Sequence, residues 1–483
     1  MLLKSKSLFF FPILFILFIF FSCRKDQILK DSASQIGFST DTVLFDTVFR
    51  YAGSTTKQFK IYNPHKQPIV VSSIFLAGGK GSPFRINVDG ISGYIFSDLK
   101  IAANDSVFVF VQVSVTPSQS APLLIKDSII FETNGNKQDV KLTAIGQDVY
   151  LHKPDHFPTN GVPPFSIIGR AGVDTVLPND KPHLFFGYAV VDSACELTIK
   201  AGTRLYFHNR AVLWVYKDGS LVVDGAYKNE VVFQGDRLEP DFKELPGQWG
   251  KIWFSKGSLN NKINWAIIKN GSIGIQADSV ATPDAPTVKI SNTIIKNMQS
   301  TAVYGQTARI WANNCVFANC GQYVAALLIG GIYKFEHCTF ANFWTSSSRT
   351  TPLLALNNYY TTSSTIFVRD LDSAYFGNCI LYGDQEEEVV LDTLKVGGKF
   401  SYKFDHCILK TARNISNTAY YKNVYKNLSP DFKDIEKNDY RLKLNSGAID
   451  KGYNNFISID LDNKIRPNAT TSIPDLGAYE FYP

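Results

Sequence analysis

A seven-residue phrase recurs six times between Ile263 and Leu409, and it constrains the fold more than any other feature of the chain. The copies start at Asn264, Ser291, Asn313, Glu336, Gly377 and Asp405, as in Ser291-Asn-Thr-Ile-Ile-Lys-Asn297 and Glu336-His-Cys-Thr-Phe-Ala-Asn342. Their central small residue, Ala266, Thr293, Cys315, Cys338, Cys379 and Cys407, advances by 27, 22, 23, 41 and 28 positions. A period in the low twenties with variable inserts is the mark of a solenoid. Each copy is too short and too rich in Ile, Val, Phe and Thr for a helical repeat. Stacked strand units of this kind bury one continuous core and satisfy their backbones through the coils above and below. The pattern predicts a parallel β-helix over residues 184–429. The 41-residue step holds Thr345 to Asp370, which is read as a long loop rather than an extra coil.

The small-residue column has a chemical corollary. In-register stacking sets equivalent positions about 4.8 Å apart, and alternate residues face in and out. If the cysteines point inward, the neighbouring Asn and His residues point outward. Stacked side chains with parallel Cβ directions fit disulfide geometry badly, so the column is expected to be a buried ladder of free thiols. The same alternation argues against zinc at His337-Cys338 or His406-Cys407, because adjacent residues face opposite sides. Cys195 and Cys320 lie outside the column.

Ahead of the solenoid come other kinds of segment. Lys4 and Lys6, an apolar run from Leu8 to Phe21, and Ser22 describe a secretory signal peptide over residues 1–22. The run is too short for a membrane span, which needs about twenty residues. Residues 23–35 read as a polar tether. Residues 36–150 alternate apolar and polar positions between turn signals near every tenth residue, as in Thr42–Phe49 and Val107–Val113, which predicts a β-sandwich. His65 follows Asn63-Pro64 in a turn and is a loop residue. The stretch 151–183 is rich in Pro and Gly and reads as a linker. Charge excludes one class of partner: 49 basic against 43 acidic residues give +6, or +4 once the signal is removed, with no basic run. Nucleic acid binding is not expected.

Several of these segments resemble known families. Ser22-Cys23 resembles the lipobox of bacterial lipoproteins, which implies a lipid-modified Cys23 as the membrane anchor. Phe59-Lys-Ile-Tyr-Asn-Pro64, Phe84-Arg-Ile86 and Val140–Gly146 resemble, in their order, hydin-type immunoglobulin-like domains. Ala201-Gly-Thr-Arg-Leu205 followed by Gly219–Gly225 resembles the entry coils of pectin-lyase-like surface proteins, whose β-helix is right-handed. Asp439–Asp450, Asp460–Pro467 and Pro474–Glu480 resemble the closing segment of bacterial surface β-helix proteins, which implies a cap over 430–483 with Asp450, Asp460, Asp462 and Arg466 in hydrogen bonds and ion pairs. Together the segments resemble Bacteroidetes-type surface lipoproteins. An all-β chain is therefore expected: sandwich, right-handed parallel β-helix, C-terminal cap.

Function is less legible. The expected role is a lipid-anchored, exported protein of the outer membrane or cell surface, a non-catalytic solenoid that binds glycan or an envelope protein. The alternative is a polysaccharide lyase or glycoside hydrolase. For the enzyme, the candidates are the carboxylates of an acidic insertion, Asp236, Glu239, Asp241 and Glu244, with the Glu386–Glu388 run as a second cluster. Both read first as solvated loops. No cofactor is expected, though the pectate-lyase resemblance leaves calcium open. Trp249, Trp344, Tyr359 and Tyr360 are candidate sugar-stacking aromatics.

Overall fold

The structure, a computed structural model, describes residues 27–116, 122–279, 285–394, 397–468 and 472–483. The signal segment and Cys23 lie outside the described residues. The chain divides into two units, Met1–Gln147 and Asp148–Pro483.

The first unit is a sandwich of two five-stranded sheets. Its strands alternate as predicted; Phe84–Val88, for example, buries Phe84, Ile86 and Val88 and turns Arg85 outward. The inward residues of both sheets form one core around Phe45, Phe59, Phe84 and Phe131. The pairing is antiparallel except where Thr42–Phe49 runs parallel to Asn136–Gln147. The described part of the tether is not free. Leu29 donates its N–H to the Pro68 carbonyl at 2.8 Å, and the Asn136 amide donates to Ser32 O at 2.6 Å.

The second unit is the parallel β-solenoid. One sheet of eleven strands, here sheet III, forms one side. The other, of seventeen strands, is two columns side by side. Sheet I runs from Phe165–Gly169 through Val212–Val215, Ile252–Phe254 and Ile273–Asp278; sheet II runs from Thr175–Leu177 through Ser220–Asp224, Asn261–Asn264 and Val288–Ser291. Thr301–Asn313 and Ala325–Glu336 each cross from sheet I into sheet II as one strand.

Two boundaries differ from expectation. The supposed linker 151–183 is the first coil: Tyr150–His152 pairs with His183–Phe185, Phe165–Gly169 with Tyr188–Val191, and Thr175–Leu177 with Glu196–Lys200. Its prolines occupy the turns, where no ladder N–H is needed. The 41-residue step is one coil with two inserts. One is the loop before Leu354–Asn357, and the other is an antiparallel hairpin, Tyr359–Thr361 with Ile366–Val368. Ala325–Glu336 pairs with Leu354–Asn357 and Leu371–Gly377 in a single turn of the solenoid.

The recurring phrase is a short sheet III strand between two left-handed corners. Trp265, Asn292, Asn314, His337, Asn378, His406 and Asn423 have φ between 48° and 53°, and Asn270, Asn297 and Asn319 close the other end at 51–65°. Asn tolerates this conformation better than other residues with a side chain. The outward amides also bond coil to coil: Asn314 donates to Asn292 Oδ1 at 3.2 Å, and Asn292 to Asn264 Oδ1 at 2.9 Å. One residue on, the column turns inward. Cys315, Cys338, Cys379 and Cys407 are fully buried free thiols. Each donates to the carbonyl two residues back, at 3.1–3.5 Å, as Thr293 does to Ser291 at 2.7 Å. The position takes a small side chain with one donor, which explains why Thr and Cys share it. Burial pushes the Cys315 and Cys379 thiols well above their usual range.

The cap is present, and its position is the difference. Its described residues, 430–468 and 472–483, lie along the outer face of sheet III rather than over the solenoid's end. Phe432, Tyr440, Leu461, Leu476 and Ala478 pack on the corner residue Trp265 and on Val316, Ala341, Ile380 and Ile408, which face out from sheet III strands. An outer sheet face this apolar needs cover. The expected polar residues hold the cap together. Arg441 forks onto Asp462 with two 2.7 Å bonds, and Arg466 bonds Glu480 at 3.2 Å and Asn314 at 2.6 Å. Asp460 accepts from the backbone of Asp462, Lys464 and Glu480. Asp450 acts through its backbone N–H, which reaches Asp475 at 2.8 Å, while its buried Oδ1 has no hydrogen-bond partner.

Asp475 gives the cap a pH dependence. Burial first, and then the Glu480 carboxylate, push its carboxyl up to about 7 from 3.8. An acid raised on folding adds stability that is full below the unfolded value and is lost as pH rises through the folded one. Glu480 and Asp460 are raised by burial too, with the same sign. The cap should therefore be several degrees more heat-stable at pH 5.5 than at pH 8.5, and Asp475→Asn should flatten the difference. Amide exchange of residues 450–481 at the two pH values measures it.

Candidate functional site

The acidic insertion does not assemble a site. Asp236 pairs with His208 at 2.7 Å and Glu239 with Arg237 at 3.0 Å. Asp241 sits exposed in a one-turn 3-10 helix, Pro240–Phe242. Glu244 is held between Lys269 at 3.3 Å and Lys296 at 2.9 Å, with Asn297 also donating to it. Those two lysines outweigh the effect of its partial burial and hold its carboxyl below the usual range. Glu244 lines a groove of about 590 Å³ with Asn297, Asn319, Phe343, Trp344 and Glu436. Each insertion carboxylate that bonds a side chain thus has its own separate partner.

Glu388 is a correction of another kind, since it is buried rather than solvated. Its carboxylate takes a bidentate bond from Arg349 at 2.7 and 2.8 Å, plus the backbone N–H groups of Leu353 and Gln385. Arg349 also reaches Thr351 O at 2.7 Å and contacts Asp384. The pair locks the insert loop onto the coil. It is scaffold, and neither group faces solvent.

Among the aromatic candidates, Trp249 is fully buried, stacked 4.5 Å from Phe207 with its indole N–H on Lys269 O. Trp344 is buried with its N–H on Ser347. Tyr359 and Tyr360 lie on the hairpin, bonded to Asp392 and stacked on Phe367 respectively.

Sheet I carries the aromatic surface that the sequence reading missed. Register sets Val190, Trp214, Trp253, Gln276 and Tyr304 on successive strands in one outward file. The Trp214 and Trp253 rings stack at 4.9 Å and 11°, with Tyr188 and Tyr216 edge-on to Trp214 at 6.2 and 5.5 Å. A polar chain runs beside the rings. The Lys251 ammonium lies 4.8 Å from the Trp253 ring centre and donates to Gln276 Oε1 at 2.6 Å. Gln276 donates to Asp278 at 2.9 Å, and the Trp253 N–H donates to the other Asp278 oxygen at 2.6 Å. The Trp214 N–H is buried with no hydrogen-bond partner. Burial lowers the Lys251 ammonium and raises the Tyr304 phenol. The signal was available: in Val212-Leu-Trp-Val215 and Ile252-Trp-Phe254 each Trp sits between two buried apolar residues, the out position of a period-two strand.

Flat rings flanked by an amide, a carboxylate and an ammonium are the chemistry of sugar recognition: apolar ring faces stack, and hydroxyls bond to the polar groups. Among the described residues no group of His, Cys, Asp and Glu is arranged to hold a metal ion. No helix among them is long and apolar enough to cross a membrane.

No family model matches the chain, and no curated relative does. Solved structures similar to part of it include the periplasmic chaperone SfaE, at 11% identity and TM-score 0.17, covering 24% of this chain and 58% of that one. The E. coli chaperone DraB is similar at 10% identity and TM-score 0.17, over 25% and 56%. The ASH/PapD-like domain 7 of human CEP192 is similar at 10% identity and TM-score 0.18, over 27% and 95%. The chain thus spans little more than half the length of the two chaperones.

Proposed function

We propose that this is an exported, lipid-anchored cell-envelope protein whose solenoid binds glycan along the outer face of sheet I without cleaving it. The observation that carries the reading is the outward file of Trp214 and Trp253, stacked, then Gln276 and Tyr304, with Lys251, Gln276 and Asp278 hydrogen-bonded beside the rings. The signal segment with Ser22-Cys23 supports export and anchoring, ahead of a hydin-type immunoglobulin-like spacer and a pectin-lyase-like β-helix in the sequence. In the rival reading, a polysaccharide lyase or hydrolase with or without calcium, the acidic insertion supplies acid and base. Its separately paired carboxylates favour binding instead.

A screen of the full-length protein against neutral and acidic polysaccharides, with and without calcium, tests this. Binding without chain cleavage is expected, and Trp253→Ala should weaken neutral-glycan affinity at least tenfold, about 1.4 kcal/mol. Cleavage lost on Asp236→Ala or Asp241→Ala would overturn the reading and place an active centre in the insertion.

A further inference from the structure

Sheet II presents a second outward file, distinct from the aromatic stripe of sheet I. Its register aligns Lys262, Lys289, Trp311, Lys334, Tyr375 and Lys403 on six successive strands. At about 4.8 Å per coil the file runs roughly 24 Å along the solenoid axis. Lys262, Lys289 and Lys334 are exposed.

Like charges directly opposite across a strand pair destabilise it, yet Lys262 stands directly against Lys289. Among the described residues neither has a carboxylate within ion-pair distance. The acids of this face lie two positions along: Glu336 pairs with Lys334 at 2.7 Å, and Asp405 with Lys403 at 3.6 Å and Lys422 at 3.3 Å. They leave a surplus of positive charge. Arg309 adds to it, its buried Nε lacking a hydrogen-bond partner. A column that breaks a local rule without visible compensation marks a functional surface.

The order within the file is specific. Beyond the Lys262–Lys289 pair, Lys289, Lys334 and Lys403 alternate with Trp311 and Tyr375, so from Lys289 to Lys403 charge recurs every second coil, at roughly 9.6 Å, and an aromatic ring fills each gap. The Lys289 ammonium lies 5.2 Å from the Trp311 ring centre. An extended polysaccharide with an anionic group on every second sugar matches this sequence of contacts. Its carboxylates or sulfates meet the ammonium groups, and the intervening sugars lie on the rings.

We propose that sheet II is a docking rail for a linear acidic polysaccharide charged at alternate sugars, lying parallel to the solenoid axis. The proposal deepens the glycan-binding reading and names a ligand class for a separate file of residues. Titrating the full-length protein with hyaluronan (alternating charge), polygalacturonate (charge on every sugar), dextran (neutral) and duplex DNA, at low and high salt, tests it. Hyaluronan should bind best of the four and weaken as salt rises. The Lys289→Glu/Lys334→Glu double variant should lose at least tenfold in affinity, Lys289→Gln/Lys334→Gln somewhat less, and Trp253→Ala nothing. Hyaluronan binding unchanged by both double variants, or absent, would overturn the rail, and so would DNA binding as tight as hyaluronan binding. Neutral-glycan binding lost only on Trp253→Ala would meanwhile leave the sheet I reading standing.

Discussion

Arg349→Met is expected to lower the stability of the solenoid by about 3–5 kcal/mol, the usual result of stripping one partner from a buried ion pair. Arg349 and Glu388 are 1% and 0% exposed, so neither can fall back on water. The loss should be mostly the cost of stranding Glu388, whose carboxyl burial already raises. Two controls follow. Adding Glu388→Gln removes the stranded charge while keeping an oxygen for one of the Leu353 and Gln385 N–H groups, which bond different carboxylate oxygens, and should recover about 1–3 kcal/mol as a coupling energy. Lowering the pH should have the same sense, because a carboxyl raised on folding regains stability as it protonates. Denaturant midpoints of the single and double variants at pH 5 and pH 8 measure both effects. A single-variant loss that is equal at both pH values would show that the pair acts through packing alone.

Asn378 carries the second large expectation. Its amide donates to His337 at 2.9 Å and to Tyr453 O at 2.8 Å, and its oxygen accepts from Tyr453 N at 3.0 Å, so one side chain ties the corner of a coil to the cap. It also holds φ at 53°. Asn378→Ala should cost about 4–5 kcal/mol, the sum of three buried bonds near 1 kcal/mol each and a left-handed backbone at roughly 1–2 kcal/mol. Asn378→Gly keeps the backbone and loses only the bonds. The difference between the two variants isolates the conformational part, and exchange of the Tyr453 amide reports whether the cap lifts.

These two sites also show what sequence yields and what it withholds. The repeat was legible because a small residue preceded by Asn or His recurs at a fixed place, whereas the left-handed corner that each Asn or His makes shows only in the structure. The first coil was not, because strands of three residues such as Tyr150–His152 and Thr175–Leu177 are too short to show alternation between prolines. Arg349 and Glu388 are 39 positions apart, and nothing local distinguishes a buried Glu388 from its solvated neighbours in Glu386-Glu-Glu388. The aromatic stripe and the lysine rail needed register: Trp214 and Trp253 are 39 residues apart, and only strand pairing puts one ring above the other. Alternation told which side a residue faces, while pairing told which residues meet.

The side-mounted cap bears on how such a chain can change over generations. From Trp265 to His406 the bend from sheet II into sheet III is one left-handed residue followed by a small one, and these are coils that the cap covers. Before Trp265, where the cap's apolar contacts do not reach, the same bend varies, from Ala201–Thr203 to the longer Gly225–Glu230. The described inserts sit at the other two bends, the acidic segment and the Arg349 loop between sheets III and I and the hairpin between sheets I and II. A residue added under the cap would break its seat on several coils at once, whereas one added at an open bend only lengthens a loop. Lineages carrying this architecture should therefore differ in length at two bends of each coil and hold the third constant, and new recognition loops would arise beside sheets I and II.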